Sequence, residues 1–447
     1  MYYFVYIILA DYSSICLDIF GISYLVTQAK YHLLLVSVFN FLFCVNLLLL
    51  VIFISYIGKE MFVNMYNKNL KFLDYSNLEV SLFILIVSTL GSFMQISGAS
   101  WDITSHLLNQ PDSFFTPSHA MLYTGIGLIA ISAGASSYIL RRKKFKQYTS
   151  SSLSLSFKLL IIGSFLSLIA GPLDYFWHQS FGLDGLLSPT HITLATGMLI
   201  NSVAVFLGLY GVMNNITHWK KLAKIFLIPS LCSLWFTSIW YVFIFVLPFS
   251  ESDFFNFNLD TYSATLIASI FLPLINSIMF LCSSKVFNNT FGYASIIVSL
   301  LVLVNTLSTI LPTGDILSPL IPWYFVSILG ASILADIVLN SNFIRINTKQ
   351  FKNNKLIASS IIGAIFYFFN YPMIIWTYGT FLNTDLGSLN AVLPTFLNTI
   401  VTVTLITVPV GAVMGLIGYL IFSKMIENSL NALIKGRNST TIMKSDY

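Results

Sequence analysis

Apolar runs of about 20 residues, each long enough to cross a bilayer, recur along the entire chain and leave no room for a separate soluble domain. In lipid a helix satisfies its own backbone hydrogen bonds, whereas an open strand cannot. Runs of this length therefore predict an all-α, polytopic integral membrane helix bundle. They fall at roughly 33–57, 78–98, 119–139, 155–177, 191–213, 222–247, 263–283, 291–311, 319–340, 356–377 and 393–423. That makes eleven transmembrane helices, or twelve if residues 1–30 also cross. This first segment is apolar but carries Asp11 and Asp18, and no basic region precedes it as a secretory signal would require. With 56% hydrophobic and 9% charged residues, an ordinary soluble protein is excluded.

The charges orient the bundle. Lys59, Lys68 and Lys71, then Arg141 to Lys146, Lys220 to Lys224, Lys285, Arg345 to Lys355, and Lys424 to Lys444 all follow alternate spans and so share one side. The intervening loops, around 103–118, 179–190, 248–262, 312–318 and 378–392, contain no Lys or Arg, and Lys30 is the exception on their side. By the positive-inside rule the C-terminus is cytoplasmic and those loops face outward across a cell (plasma) membrane. The outer loops collect acids instead: Asp112, Asp184, Glu251, Asp253, Asp260, Asp315 and Asp385. These either tolerate translocation or concentrate cations at the surface. No basic block is long enough for nucleic acid, so membrane lipids are the surroundings the composition implies. Cys16, Cys44, Cys232 and Cys282 lie in apolar surroundings without CxxC spacing and read as packing residues.

Two of the outer loops are flanked by one pattern written twice. Asp102, His106 and His119 form the first copy; Asp174, His178 and His191 form the second, both as D-x3-H-x12-H. Four of the chain's 6 histidines fall in these copies. Asp and His four apart near a helix end lie on one face, one turn apart, and can close on one ion. The third residue follows Thr116-Pro117-Ser118 or Ser188-Pro189-Thr190, a hydroxyl cap with proline next to it, which starts a helix and sets the histidine in its first turn. The helix dipole there disfavours imidazolium and leaves a neutral ring available to metal. Each copy is thus a helix-turn-helix hairpin with a two-His, one-carboxylate set, suited to Cu, Fe or Zn with an open coordination position. Asp112 and Asp184 repeat too, each seven residues before the second histidine. They read as turn caps, with support of the ligands as the alternative. His32 and His218 have no such companions.

The strings Asp112-Ser-Phe-Phe-Thr116-Pro117-Ser118-His119 and Asp174-Tyr-Phe-Trp177-His178-Gln179 resemble the metal-binding signature of the C subunit of copper membrane monooxygenases, the particulate methane and ammonia monooxygenases. The resemblance covers about residues 80–213 and implies two copper sites, Asp102/His106/His119 and Asp174/His178/His191, with Trp177 and Gln179 beside the ligands. It further implies partner subunits that supply electrons or a soluble domain. The chain departs from that family in having Asp174 where the family has Asn, and in six further spans. The organisation expected is an N-terminal membrane segment over 1–77, a four-helix metal-site unit over 78–213, and a C-terminal transmembrane bundle without the motif over 214–447. Asp315-Ile-Leu-Ser318-Pro319 in that bundle looks like a worn copy of the hairpin turn, without histidine.

Three functions compete on these residues. A copper oxidase or monooxygenase component fits the ligand set. A membrane metal-ion or ammonium binding or transport protein fits stacked carboxylates and imidazoles in proline-bearing helices. A zinc hydrolase fits least, since no HExxH helix is present. Orientation is testable without metal: in a cysteine-free background, Ser113→Cys and Gly185→Cys should label from outside with an impermeant thiol reagent, and Lys146→Cys only after permeabilisation. The reverse pattern would invert the bundle.

Overall fold

The computed structural model describes residues 77–107, 113, 115–141, 151–181, 188–216, 219–246, 261–313, 329–340, 355–366, 405 and 407–426. Every regular element among them is helical. In chain order these are α1 (Asn77–Leu107), α2 (Pro117–Arg141), α3 (Ser151–Phe181), α4 (Pro189–Asn215), α5 (Lys220–Val246), α6 (Thr261–Val286), α7 (Tyr293–Thr313) and α8 (Gly330–Asn340). A ninth, α9 (Lys355–Phe366), and a tenth, α10 (Thr407–Lys424), complete the described helices. Seven of them are long and apolar enough to cross a membrane, the architecture of a multi-pass membrane protein. The spans expected near 291–311, 319–340 and 356–377 are represented by the shorter apolar helices Tyr293–Ser308, Gly330–Leu339 and Lys355–Phe366. The span at 33–57, residues 1–30 and the Asp315–Pro319 turn lie outside the described residues.

The first two hairpins outrun their apolar cores. α1 continues nine residues past the expected end at 98, and α3 four past 177. Asp102 and His178 are therefore carried on helix rather than on loop. α1 is the central element: 72% of its most apolar stretch is buried, against 28% for α10. It packs on α2, α4, α5 and α7, while α3 pairs with α4 and touches α2. The core runs through Leu85, Ile86, Ile96, Phe157, Leu160, Leu209, Leu231 and Trp235. Cys232 and Cys282 are buried free thiols inside this core.

Many hydroxyls and amides in the helices settle their hydrogen bonds locally or across a seam. Ser88 and Thr89 donate to the carbonyls of Ile84 and Leu85 at 2.8 and 2.7 Å, the i−4 return that removes a hydroxyl from apolar surroundings. Ser156 reaches across to the Ala204 carbonyl at 2.7 Å, and the Trp235 indole donates to Asn276 Oδ1 at 2.8 Å. Pro172, Pro229 and Pro273 lie inside α3, α5 and α6, each removing one N–H from the ladder.

Within each hairpin the backbones touch. A Cβ placed on Gly125 of α2 would lie 2.7 Å from both the Gln95 nitrogen and the Gly91 carbonyl oxygen of α1. One placed on Gly197 of α4 would lie 2.6 Å from Ser167 Oγ and 2.9 Å from the Gly163 oxygen of α3. Small residues at a crossing let helices approach this closely, and in lipid such packing is what holds helices together. Gly91/Gly163 and Gly125/Gly197 are each 72 residues apart, the same offset as Asp102/Asp174 and His119/His191, so the duplication extends from the helix ends down to the crossing. Gly197→Leu should force α3 and α4 apart at a cost of about 3 kcal/mol. Gly127→Ala and Gly134→Ala, where a Cβ meets nothing within 4 Å, should be neutral or stabilise by up to about 1 kcal/mol. Thermal unfolding of the purified variants in detergent compares them; equal effects would refute close approach as the reason for glycine.

Candidate metal centre

The second copy of the motif closes as a triad. Asp174 and His178 stand one turn apart at the end of α3. Chain entry into α4 then sets the third group: Ser188 is the N-cap in an extended conformation (φ −111, ψ 157), Pro189 follows at the first helical position, and the Ser188 hydroxyl accepts from the His191 N–H at 3.1 Å. This is the hydroxyl-proline start expected from sequence, and it fixes His191 in the first turn. The carboxylate divides its oxygens. Asp174 Oδ2 faces His178 Nε2 and Oδ1 faces His191 Nε2, both at 3.3 Å. Ligand atoms of Asp174, His178 and His191 all lie within 4.8 Å of one another. Donors held at about 2.1 Å around a tetrahedral ion are about 3.4 Å apart, close to each 3.3 Å carboxylate–imidazole separation, although the two run to different oxygens of Asp174. The imidazole rings sit 5.8 Å apart at 54°, converging without stacking.

A hydroxyl completes the arrangement. Thr190 Oγ1 donates to Asp174 Oδ1 at 2.7 Å and lies 2.9 Å from Ser188 Oγ. The first copy repeats this contact: Ser118 Oγ donates to Asp102 Oδ1 at 2.8 Å and lies 3.2 Å from Thr116 Oγ1. Ser118 and Thr190 were not assigned a role from sequence, although both stand at the 72-residue offset and immediately precede the histidines. They pin the carboxylate from the opposite helix, so each Asp is held by both arms of its hairpin.

In the first copy Asp102 and His119 come together, with His119 Nε2 at 3.1 Å from Asp102 Oδ1. His119 Nδ1 lies 2.8 Å from the Ser113 carbonyl; a carbonyl only accepts, so Nδ1 carries the proton. That bond orients Nε2 toward the carboxylate, the disposition typical of a metal-bound imidazole whose outer N–H is held by a backbone oxygen. With the proton on Nδ1, the 3.1 Å approach of Nε2 to Asp102 Oδ1 leaves room for one bridging cation or proton between ring and carboxyl. His106 falls in the last turn of α1, and its side chain lies outside the described residues, as do Asp112 and Asp184. Trp177 is half-buried and packs on Phe181 at 4.5 Å between ring centroids, while Gln179 is exposed.

The two copies are neighbours. Tyr123, one turn after His119, stacks on its ring at 5.5 Å and 18°. A Cβ on Gly171, three residues before Asp174, would lie 3.6 Å from the same tyrosine ring. Tyr123 thus links the first histidine to the helix that bears the second triad, a residue that motif spacing did not single out. No protein family, characterised protein or solved structure matches the chain, so the chemistry of the site is read from its geometry. If the hydroxyls fix the carboxylates for ligation, Thr190→Val should weaken metal binding at the second site about 10- to 100-fold without changing stoichiometry at saturation. Competition against a calibrated chelator measures it; unchanged affinity would reduce Thr190 to helix capping.

Proposed function

We propose that this chain is a membrane metalloprotein whose two Asp/His/His sets, Asp102/His106/His119 and Asp174/His178/His191, bind copper at the outer membrane face. In this reading it serves as a component of a membrane oxidase or monooxygenase, like the C subunit it resembles. The observation that carries the proposal is the convergence of Asp174, His178 and His191 ligand atoms within 4.8 Å, on two helices locked at a glycine crossing. Two imidazoles and one carboxylate form a borderline donor set that accepts copper, zinc or iron, and copper(II) binds such sites most tightly among divalent first-row ions. Bound there, copper would supply one-electron redox chemistry and an open coordination position.

The protein's own residues hold and orient that centre. Asp174 offers one oxygen toward each imidazole, Thr190 and Ser188 keep the carboxylate in place, and the Ser113 carbonyl fixes the His119 ring. Electrons would come from partner subunits, with lipid surrounding the bundle. Transport of a metal ion or ammonium is the competing reading and calls for charged acceptors along the helices. On α1 to α4, Glu79 at the far end of α1 is the sole other carboxylate, which favours a fixed centre over a cation path.

Metal analysis of the purified protein tests this directly, with EPR to type any copper. His106→Ala and His178→Ala should each remove about one equivalent, and the double variant should retain none, because loss of an imidazole ligand abolishes most affinity. His218→Ala should leave the content unchanged. Full occupancy in the double variant would overturn the assignment.

A further inference from the structure

Two helical turns inward from Asp102, about 10 Å along α1, stands Gln95, 1% exposed. Neither its carboxamide nitrogen nor its oxygen has a hydrogen-bond partner among the described residues, and the hydroxyl of Ser92, also 1% exposed and one turn further on, is in the same condition. Their neighbours on α1 behave differently, since Ser88, Thr89 and Ser97 all return their hydroxyls to the carbonyl four residues back. The Gln95 side chain runs along the α1–α2 seam: a Cβ on Gly125 would lie 2.9 Å from its Cγ.

The duplicated hairpin has a polar level at the same depth. Ser167 occupies the place of Gln95 at the 72-residue offset, and Asn201 on α4 donates from Nδ2 to Ser167 Oγ at 3.3 Å. Asn201 is 0% exposed, and its Oδ1 has no hydrogen-bond partner among the described residues. The opposing arms have exchanged roles: α1 carries the amide in the first hairpin, where position 129 of α2 is isoleucine, whereas α4 carries it as Asn201, against Ser167, in the second.

Buried donors and acceptors left without partners are costly, and in a lipid-embedded bundle bulk solvent does not reach them. A group of this kind calls for a small guest that both donates and accepts. Charge on the guest is disfavoured, because α1 and α2 carry no ionised side chain near this level, their charges being Glu79, Asp102 and Arg141 near the helix ends. We propose that the α1–α2 seam binds water at Gln95 and Ser92, midway along the helix and beneath the first triad, with Asn201 and Ser167 forming the counterpart in the second hairpin. The site stands whether or not the triads hold metal.

Water-edited solid-state NMR of the full chain in lipid bilayers tests it, with uniformly labelled glutamine as the probe. The Met94–Gln95 pair occurs once in the chain, so carbonyl-labelled methionine assigns Gln95 without any variant. The Gln95 side-chain NH2 should receive magnetisation from water within milliseconds, as exposed Gln179 does, and Gln95→Met should delete that signal and leave the others. A Gln95 NH2 resonance present in the direct spectrum but absent from the water-edited one would overturn the proposal. So would transfer to Gln95 in a bundle whose core amides, such as those of Leu85 and Ile86 in a second sample labelled at leucine and isoleucine, receive it equally fast, since that would report general solvent penetration.

Discussion

The two close crossings, Gly125 against Gln95 and Gly197 against Ser167, are the constraint from which the rest of the site follows. Apolar side chains gain little by leaving lipid for another apolar surface, so helices in a membrane depend on contact area and on groups that need partners. A glycine at the crossing brings backbone against backbone and sets the distance between the arms of each hairpin. From that point the arms rise to their ends, and the distance across the top is short enough for Ser118 to reach Asp102 and Thr190 to reach Asp174. A larger residue at either crossing would separate the carboxylate from the hydroxyl and the histidine together.

The carboxylates impose the second constraint. An aspartate near the end of a membrane helix is costly unless positive charge or several donors answer it. Asp174 has two imidazoles and a hydroxyl about its two oxygens, and Asp102 has at least one imidazole and a hydroxyl. Donors that converge on an anion through nitrogen atoms able to bind either a proton or a metal make a site where the two compete. The Ser188 cap and the hydroxyls of Ser118 and Thr190 hold this geometry.

Much of this was legible in the chain. Helical class and the positions of the long spans follow from run length, because lipid leaves the backbone few other choices. The motif residues and the hydroxyl-proline helix starts follow from spacing, and the structure brings Asp174, His178 and His191 together as spacing implies. Less legible were the helix ends: hydropathy stops at 98 and 177, yet the backbone continues to Leu107 and Phe181, since a helix persists wherever its own ladder and caps hold it. The roles of Ser118, Thr190 and Tyr123 depend on which face of one helix meets another, a relation that spacing within a single helix does not encode. Gln95 and Asn201 were missed for a related reason, because an amide in an apolar run looks like a minor interruption until its burial is known. The 72-residue offset shared by the glycines was available, but only the histidines drew attention to it.

The duplication is uneven, and the unevenness follows from the crossing. Between Gly91 and Gly163, and between Gly125 and Gly197, the backbone contact is the same, while the side chains beside it differ: Gln95 with Ile129 in one hairpin, Ser167 with Asn201 in the other. Backbone contact sets the separation of the arms irrespective of what flanks it, so the chemistry at this depth can change without moving the triad above. At the helix ends each carboxylate is fixed by a hydroxyl and an imidazole at specific distances, and in the first hairpin the backbones also meet one turn below them, where a Cβ on Gly98 would lie 2.5 Å from the Leu122 nitrogen. Polar groups midway along the seam can therefore differ between the hairpins, whereas those at the top are tied to the carboxylate they surround.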